Sequence, residues 1–124
     1  MKLRIKGDSL RLRLTQGEVQ QLGDTGSVED RVRFGGGAAL TYRLKRDTGA
    51  SDMRATFANG TVEIRLPEKA ALSWCDSDEV TLSGQQPAAV DAELRIVVEK
   101  DWRCLTAREG EDESDHFENP NQTC

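Results

Sequence analysis

Aromatic side chains are scarce in this chain: two Trp, one Tyr and three Phe among 124 residues. With hydrophobic content at 36%, the core must be small and built from Leu, Val and Ile. Histidine occurs once, at His116, so one ring must serve any nucleophile dyad, and no GxSxG elbow is present. Cysteine occurs three times, at Cys75, Cys104 and Cys124, without a close pair or a CxxC. A disulfide framework is therefore not expected, and reduced thiols fit a cytosolic protein. No stretch approaches the roughly 18 apolar residues that a membrane helix needs. The opening Met1–Lys6 alternates in type and lacks the apolar run of a secretory signal. These absences predict a cytoplasmic protein with no membrane partner.

Against them stands an internal repeat. Residues 3–47 and 55–99 align as two copies offset by 52 positions without a gap. Leu10, Leu12 and Leu14 fall on Val62, Ile64 and Leu66. Leu22 falls on Trp74, Val28 on Val80, and Leu44 on Ile96. Two copies are far fewer than a solenoid needs, so the alignment reads as a duplicated half-domain. A chain of this length suits one domain with one core. That domain is expected over residues 1–105, with an acidic C-terminal extension over 106–124.

Both copies carry the same local signals. Strands over 2–6 and 9–14 flank Gly7-Asp8, and strands near 54–58 and 61–66 flank Asn59-Gly60, both two-residue hairpin links. Thr15 and Glu18 form a capping box for one short helix. Pro67 opens the other from its first helical position, where a missing N–H costs nothing. Val19 and Leu22 supply the buried side of the first helix; Ala70, Ala71 and Trp74 supply that of the second, with Cys75 in or near the core. A strand near 28–34 or 79–83 follows, then a loop, Gly35-Gly36-Gly37 in one copy and Gly84 to Pro87 in the other. The glycine run precedes a strand and not a helix, so it reads as a hairpin loop, not a phosphate cradle. Closing strands lie near 39–46 and 92–100. The fold class is α+β: a mainly antiparallel sheet or barrel from two pseudo-symmetric β-hairpin–α–β–β repeats.

The net charge of −5 conceals an asymmetry. Residues 1–46 hold ten Lys/Arg against five Asp/Glu, whereas residues 47–124 hold seven against seventeen. Such a split marks a nucleic-acid surface, an acidic tail, or halves that attract one another. The turn at Gly7-Asp8 sets Lys6 opposite Ser9, Ile5 opposite Leu10, Arg4 opposite Arg11, Leu3 opposite Leu12 and Lys2 opposite Arg13. One face is then aliphatic and turns to the core. The other stacks Lys2, Arg4, Lys6, Arg11 and Arg13 into a basic stripe. Like charges directly opposite destabilise a sheet by up to roughly 1 kcal/mol per pair. Solvent and salt, an acidic part of the same chain, or an anionic partner must offset them. The same face of copy two, with Arg54, Thr56, Glu63 and Arg65, is nearly balanced.

Six carboxylates crowd residues 109–118: Glu109, Glu111, Asp112, Glu113, Asp115 and Glu118. From any starting acid the Gly and the final Glu of a calcium loop fall in the wrong places. The segment reads as a solvated tail, as a strap on the basic face, or as a weak divalent-cation site. Cys104, His116 and Cys124 would offer zinc donors beside Asp112 or Asp115. Their spacings, eleven and seven intervening residues, match no common zinc pattern. No cofactor is expected.

Two resemblances bear on this reading. A hairpin closed by Gly7-Asp8-Ser9, then Leu10-Arg11-Leu12-Arg13-Leu14, a short helix ending at Leu22 and a turn to Val28 resembles the swapped-hairpin unit of AbrB- and MazE-type DNA-binding proteins. Arg65-Leu66-Pro67, Trp74 and Asp78-Glu79-Val80 continue the likeness in copy two. The resemblance implies an interlaced barrel, with one chain supplying both units, and DNA-facing roles for Arg4, Lys6, Arg11 and Arg13. The whole chain is similar to a family of small bacterial proteins of unknown function. That likeness rests on the opening run from Met1 to Leu14, and on Val98-Glu99-Lys100-Asp101-Trp102-Arg103-Cys104-Leu105. Arg108, Gly110 to Asp115, Phe117, Asn119 and Pro120 extend it. It implies a bacterial source and no known activity.

Three functions follow. The first is a non-enzymatic binding or interaction module with the acidic segment near the basic stripe, its partner a second copy or an unidentified protein. The second is a nucleic-acid-binding regulator of AbrB-like ancestry, marked by affinity that falls steeply with salt. The third is a metal-dependent enzyme using Cys104, His116 and the tail acids.

Overall fold

Turn chemistry sets the first pairings. In a computed structural model that describes residues 1–102, β1 (Lys2–Ile5) and β2 (Ser9–Leu14) form an antiparallel hairpin. Gly7 at φ 53° takes the left-handed position that a II′ turn requires first, and Lys6 N donates to Ser9 O at 3.2 Å. β5 (Arg54–Ala58) and β6 (Thr61–Pro67) repeat this device around Asn59 and Gly60, both left-handed as in a I′ turn. The predicted register of the first hairpin holds, with Lys2 opposite Arg13 and Arg4 opposite Arg11, and Arg54 opposite Arg65 repeats it in the second.

Each of these hairpins runs into a helix. Helix α1 (Gln16–Thr25) starts at the predicted capping box: Glu18 N donates to Thr15 Oγ1, and Thr15 N donates to Glu18 Oε1. Glu18 also receives the N-terminal ammonium. Burial pushes the Glu18 carboxyl up, but the ammonium and the Thr15 hydrogen bonds outweigh it and hold it below the ordinary range. A carboxyl depressed in the fold stabilises above its unfolded pKa, and that contribution is lost as pH falls through the folded value. Glu18→Gln keeps the cap but not the charge. It should flatten the acid limb of stability by roughly 1 kcal/mol, read as the urea midpoint between about pH 3 and pH 7. An unchanged acid limb in that variant would refute this assignment.

Helix α2 (Glu68–Cys75) differs from expectation by one residue. Pro67 ends β6 and occupies the N-cap, without a side-chain cap, instead of the first helical position. Val19 and Leu22 of α1, and Ala71 and Trp74 of α2, are buried.

The second hairpins are longer. They pair β3 (Ser27–Gly35) with β4 (Ala38–Asp47), and β7 (Thr81–Ala89) with β8 (Ala92–Lys100). Gly35, Gly36 and Gly37, all at positive φ, close the first of these as the predicted loop. Gly84 to Pro87 do not form a loop: they lie inside β7, whose predicted span of 79–83 was too short. β7 is an edge strand, so Pro87 can sit there without costing a ladder hydrogen bond.

Two four-stranded sheets result, in the orders β1-β2-β8-β7 and β3-β4-β6-β5. Each combines the first hairpin of one half with the second hairpin of the other, joined by a central parallel pair, β2 with β8 and β4 with β6. The halves are interlaced.

The repeat also has a gap. The first hairpins correspond at an offset of 52, since Lys2↔Arg13 matches Arg54↔Arg65. The second correspond at 54, since Ser27↔Lys45 matches Thr81↔Glu99. The parallel pairs agree, with Leu10↔Ile96 matching Val62↔Tyr42. Leu44 therefore matches Val98, not Ile96, and Val28 matches Leu82, not Val80. The extra residues lie between α2 and β7. A two-residue slip keeps every side chain on its own face, so the hydrophobic pattern conceals it.

Leu12, Leu14, Leu22, Leu44, Ile64, Leu66, Trp74, Ile96 and Val98 are almost wholly buried in one cluster. The aliphatic face of the first hairpin is only partly core, because Ile5 at its tip stays exposed. Among the described residues no helix is long and apolar enough to cross a membrane.

Candidate functional site

Period-two alternation puts Lys2 and Arg4 of β1, Lys6 just past its end, and Ser9, Arg11 and Arg13 of β2 on the outer face of the first sheet. The parallel neighbour β8 adds Arg95, Val97 and Glu99 to that face. Three rows cross the strands. Lys6, Ser9 and Arg95 lie nearest the turn; Arg4, Arg11 and Val97 follow; Lys2, Arg13 and Glu99 lie nearest the helices.

Part of the stripe's repulsion is offset within the sheet. Arg11 Nη1 lies 3.3 Å from both carboxylate oxygens of Glu99, and Arg13 Nε donates to the same carboxylate. Lys2 Nζ reaches Asp101 Oδ2 at 3.1 Å. Glu99 is only 9% exposed, and it is the buried charged residue among those described. A carboxylate removed from water this far needs its two arginines. The row nearest the turn is different in kind. Among the described residues Lys6 and Arg95 make no ion pair, and the carboxylates of Glu99 and Asp101 gather at the opposite end.

On the outer face of the second sheet the carboxylates hold the middle rows, while Lys45, Arg65 and Arg54 stand side by side in one row. Glu29 accepts from Arg43 at 2.6 and 2.8 Å, and Arg43 reaches Glu63 at 3.5 Å. Arg65 then bridges Glu63 at 3.4 Å and Asp47 at 3.2 Å. Lys45 and Arg33 on this face make no ion pair among the described residues, so cations without an ion pair stand on both sheets.

A cavity of about 410 Å³ opens at the helix end, lined by Leu14, Val19, Cys75, Ser77, Lys100 and Asp101. Burial, and then the nearby Asp76, push the Cys75 thiol up. Its Sγ approaches Val19 O at 3.5 Å. Nucleophilic cysteines need the opposite shift, so this thiol is an inert wall. Lys100 is spent on Ser77 O at 2.7 Å and on the Trp74 ring at 5.3 Å.

Cys104, His116, Cys124 and the acidic run from Glu109 to Glu118 lie outside the described residues, as does the extension 106–124. Within the described residues no cluster of His, Cys, Asp and Glu could hold a metal ion. Sequence reasoning missed Glu99 as the partner of Arg11 and Arg13. Alternation along β8 already puts it outside; only the interlaced pairing puts it beside β2. Residues 1–121 match a family described as of unknown function, DUF7009. No curated protein and no solved structure matches the chain.

Proposed function

The chain belongs to the DUF7009 family, a family of unknown function, and we propose for it a non-enzymatic binding module. It holds a carboxylate-rich chain on the outer face of β1, β2 and β8. The observation that carries this reading is the row nearest the turn, where Lys6 and Arg95 make no ion pair among the described residues while Glu99 and Asp101 lie at the opposite end of the face. Cations on adjacent strands repel unless anions come among them. The acidic segment Glu109 to Glu118 is the source of carboxylates that the same chain carries, used within a subunit or between two. In this reading the protein works in a bacterial cytoplasm, without a cofactor.

A zero-length carbodiimide tests it, because it joins a lysine amine to a carboxylate only at contact. On the full-length chain at low salt, Lys2 or Lys6 should link to residues 109–118, seen by mass spectrometry of the digest. The link should vanish near 1 M salt, where screening acts within about 3 Å. Linkage confined to Asp101 would remove the reading.

The interlaced hairpins favour a second reading, a nucleic-acid-binding regulator using the same rows on phosphates. Its affinity for duplex DNA would fall with salt at a log–log slope of about −0.9 per phosphate contacted. No binding at low salt discards it.

A further inference from the structure

The pseudo-twofold relates two seams between the sheets, and among the described residues a side-chain strap closes only one of them. Where β7 meets β5, the Gln86 amide takes both backbone groups of Ala55. Ala55 N donates to Gln86 Oε1 at 2.8 Å, and Gln86 Nε2 donates to Ala55 O at 2.8 Å. Antiparallel alternation turns the N–H and C=O of Ala55 away from β6. The side-chain amide thus does for the β5 edge what a neighbouring strand would do.

At the other seam the equivalents are Leu3 on β1 and Val32 on β3. Valine has no amide to offer. The same alternation turns the backbone groups of Leu3 and Ile5 outward, and among the described residues they make no bond across the seam. Tyr42 Oη donates to Met1 O at 3.1 Å, which ties down the start of β1 but stops short of Leu3. Apolar side chains stay uncovered here: Ile5 is 60% exposed, Val32 44% and Phe34 68%.

We propose that the β1 edge takes an extended peptide of a partner protein as an added strand, one that alternates apolar and acidic residues. Residues opposite Leu3 and Ile5 exchange backbone hydrogen bonds with them and turn apolar side chains into the seam. The residues alternating with them lie on the face of Lys2 and Lys6, and charge complementarity makes these Asp or Glu. A second copy of β1 does not suit this edge, because it would set cation against cation. The chain's own segment 109–118 lacks the alternation, so the strand comes from another protein. The proposal rests on the reading above in that this face takes carboxylates, and adds the conformation and the edge of a partner strand that brings further ones.

The probe is a fluorescein-labelled heptapeptide, Val-Glu-Val-Glu-Val-Glu-Val, titrated against the full-length protein by anisotropy. It should bind at least about tenfold more tightly than an all-Glu heptapeptide. Methylating the backbone nitrogens of two central Val residues should weaken it about tenfold, the share of two hydrogen bonds. Val32→Gln should strap β1 as Gln86 straps β5, and weaken the peptide to a similar degree while leaving the lysine–carboxylate cross-links unchanged. Equal binding by the all-Glu or the N-methylated peptide overturns the added strand and leaves the electrostatic reading standing. Wild-type affinity in a folded Val32→Gln protein overturns it too. Should that variant not fold, the N-methylated peptide on the wild-type protein decides.

Discussion

Trp74→Ala should cost about 3–5 kcal/mol, the range for truncating a buried Trp to Ala. Total stability of a domain this size is about 5–15 kcal/mol, so the variant is expected to lose a large share of its margin and to unfold at a clearly lower urea concentration. Trp74 is fully buried and is the largest side chain of the core. Its Nε1 donates to Val80 O at 3.1 Å, and Lys100 Nζ stands 5.3 Å from the ring centre. The loss is chiefly one of volume, because Val80 O keeps the backbone N–H of Lys100 at 3.0 Å. Trp74→Phe therefore separates the two contributions: it retains most of the packing and should cost only about 1–2 kcal/mol. Urea unfolding followed by circular dichroism measures both. A Trp74→Ala protein within about 1 kcal/mol of wild type would mean that the helix end repacks freely, contrary to a single tight core.

The second large effect falls on Glu99. Glu99→Ala should destabilise by about 2–3 kcal/mol, below the roughly 3–5 kcal/mol for breaking a fully buried ion pair. The discount reflects the arginines, whose side chains keep 19% and 16% of their exposure at Arg11 and Arg13. Without the carboxylate, two cations two residues apart on β2 face Arg4 and Lys2 across the hairpin. Repulsion of this kind is screened, so the deficit should shrink by about half near 1 M salt. A Glu99→Ala protein as stable as wild type at low salt would show that the stripe needs no internal offset. That outcome would also weaken the argument that its outer rows seek carboxylates.

Much of the local structure was legible. Gly7-Asp8 and Asn59-Gly60 announce their hairpins because a two-residue link has few permitted backbone conformations. Thr15 and Glu18 announce the start of α1 because a capping box satisfies amides within four residues. The basic stripe followed from the turn alone, since the turn sets the register and the register sets the faces. The reading failed where neighbours were distant. Gly84 to Pro87 carry loop-type residues, yet β8 holds them as strand along Ala92–Lys100. Gln86 was passed over because nothing in its sequence neighbourhood shows the Ala55 backbone it reaches.

Short-range letters dictate the hairpins, the caps, the two-face alternation and the doubling of one unit. These depend on energies that act across a few residues, and the letters there suffice. Long-range packing sets which hairpins share a sheet, where the two extra residues enter, and that Glu99 reaches both Arg11 and Arg13. A strand's pattern shows which face it buries but not which strand lies beside it, and a two-residue slip repeats the same pattern. The 52-residue repeat was therefore visible, while the exchange of hairpins that makes one core of its halves was visible only in three dimensions.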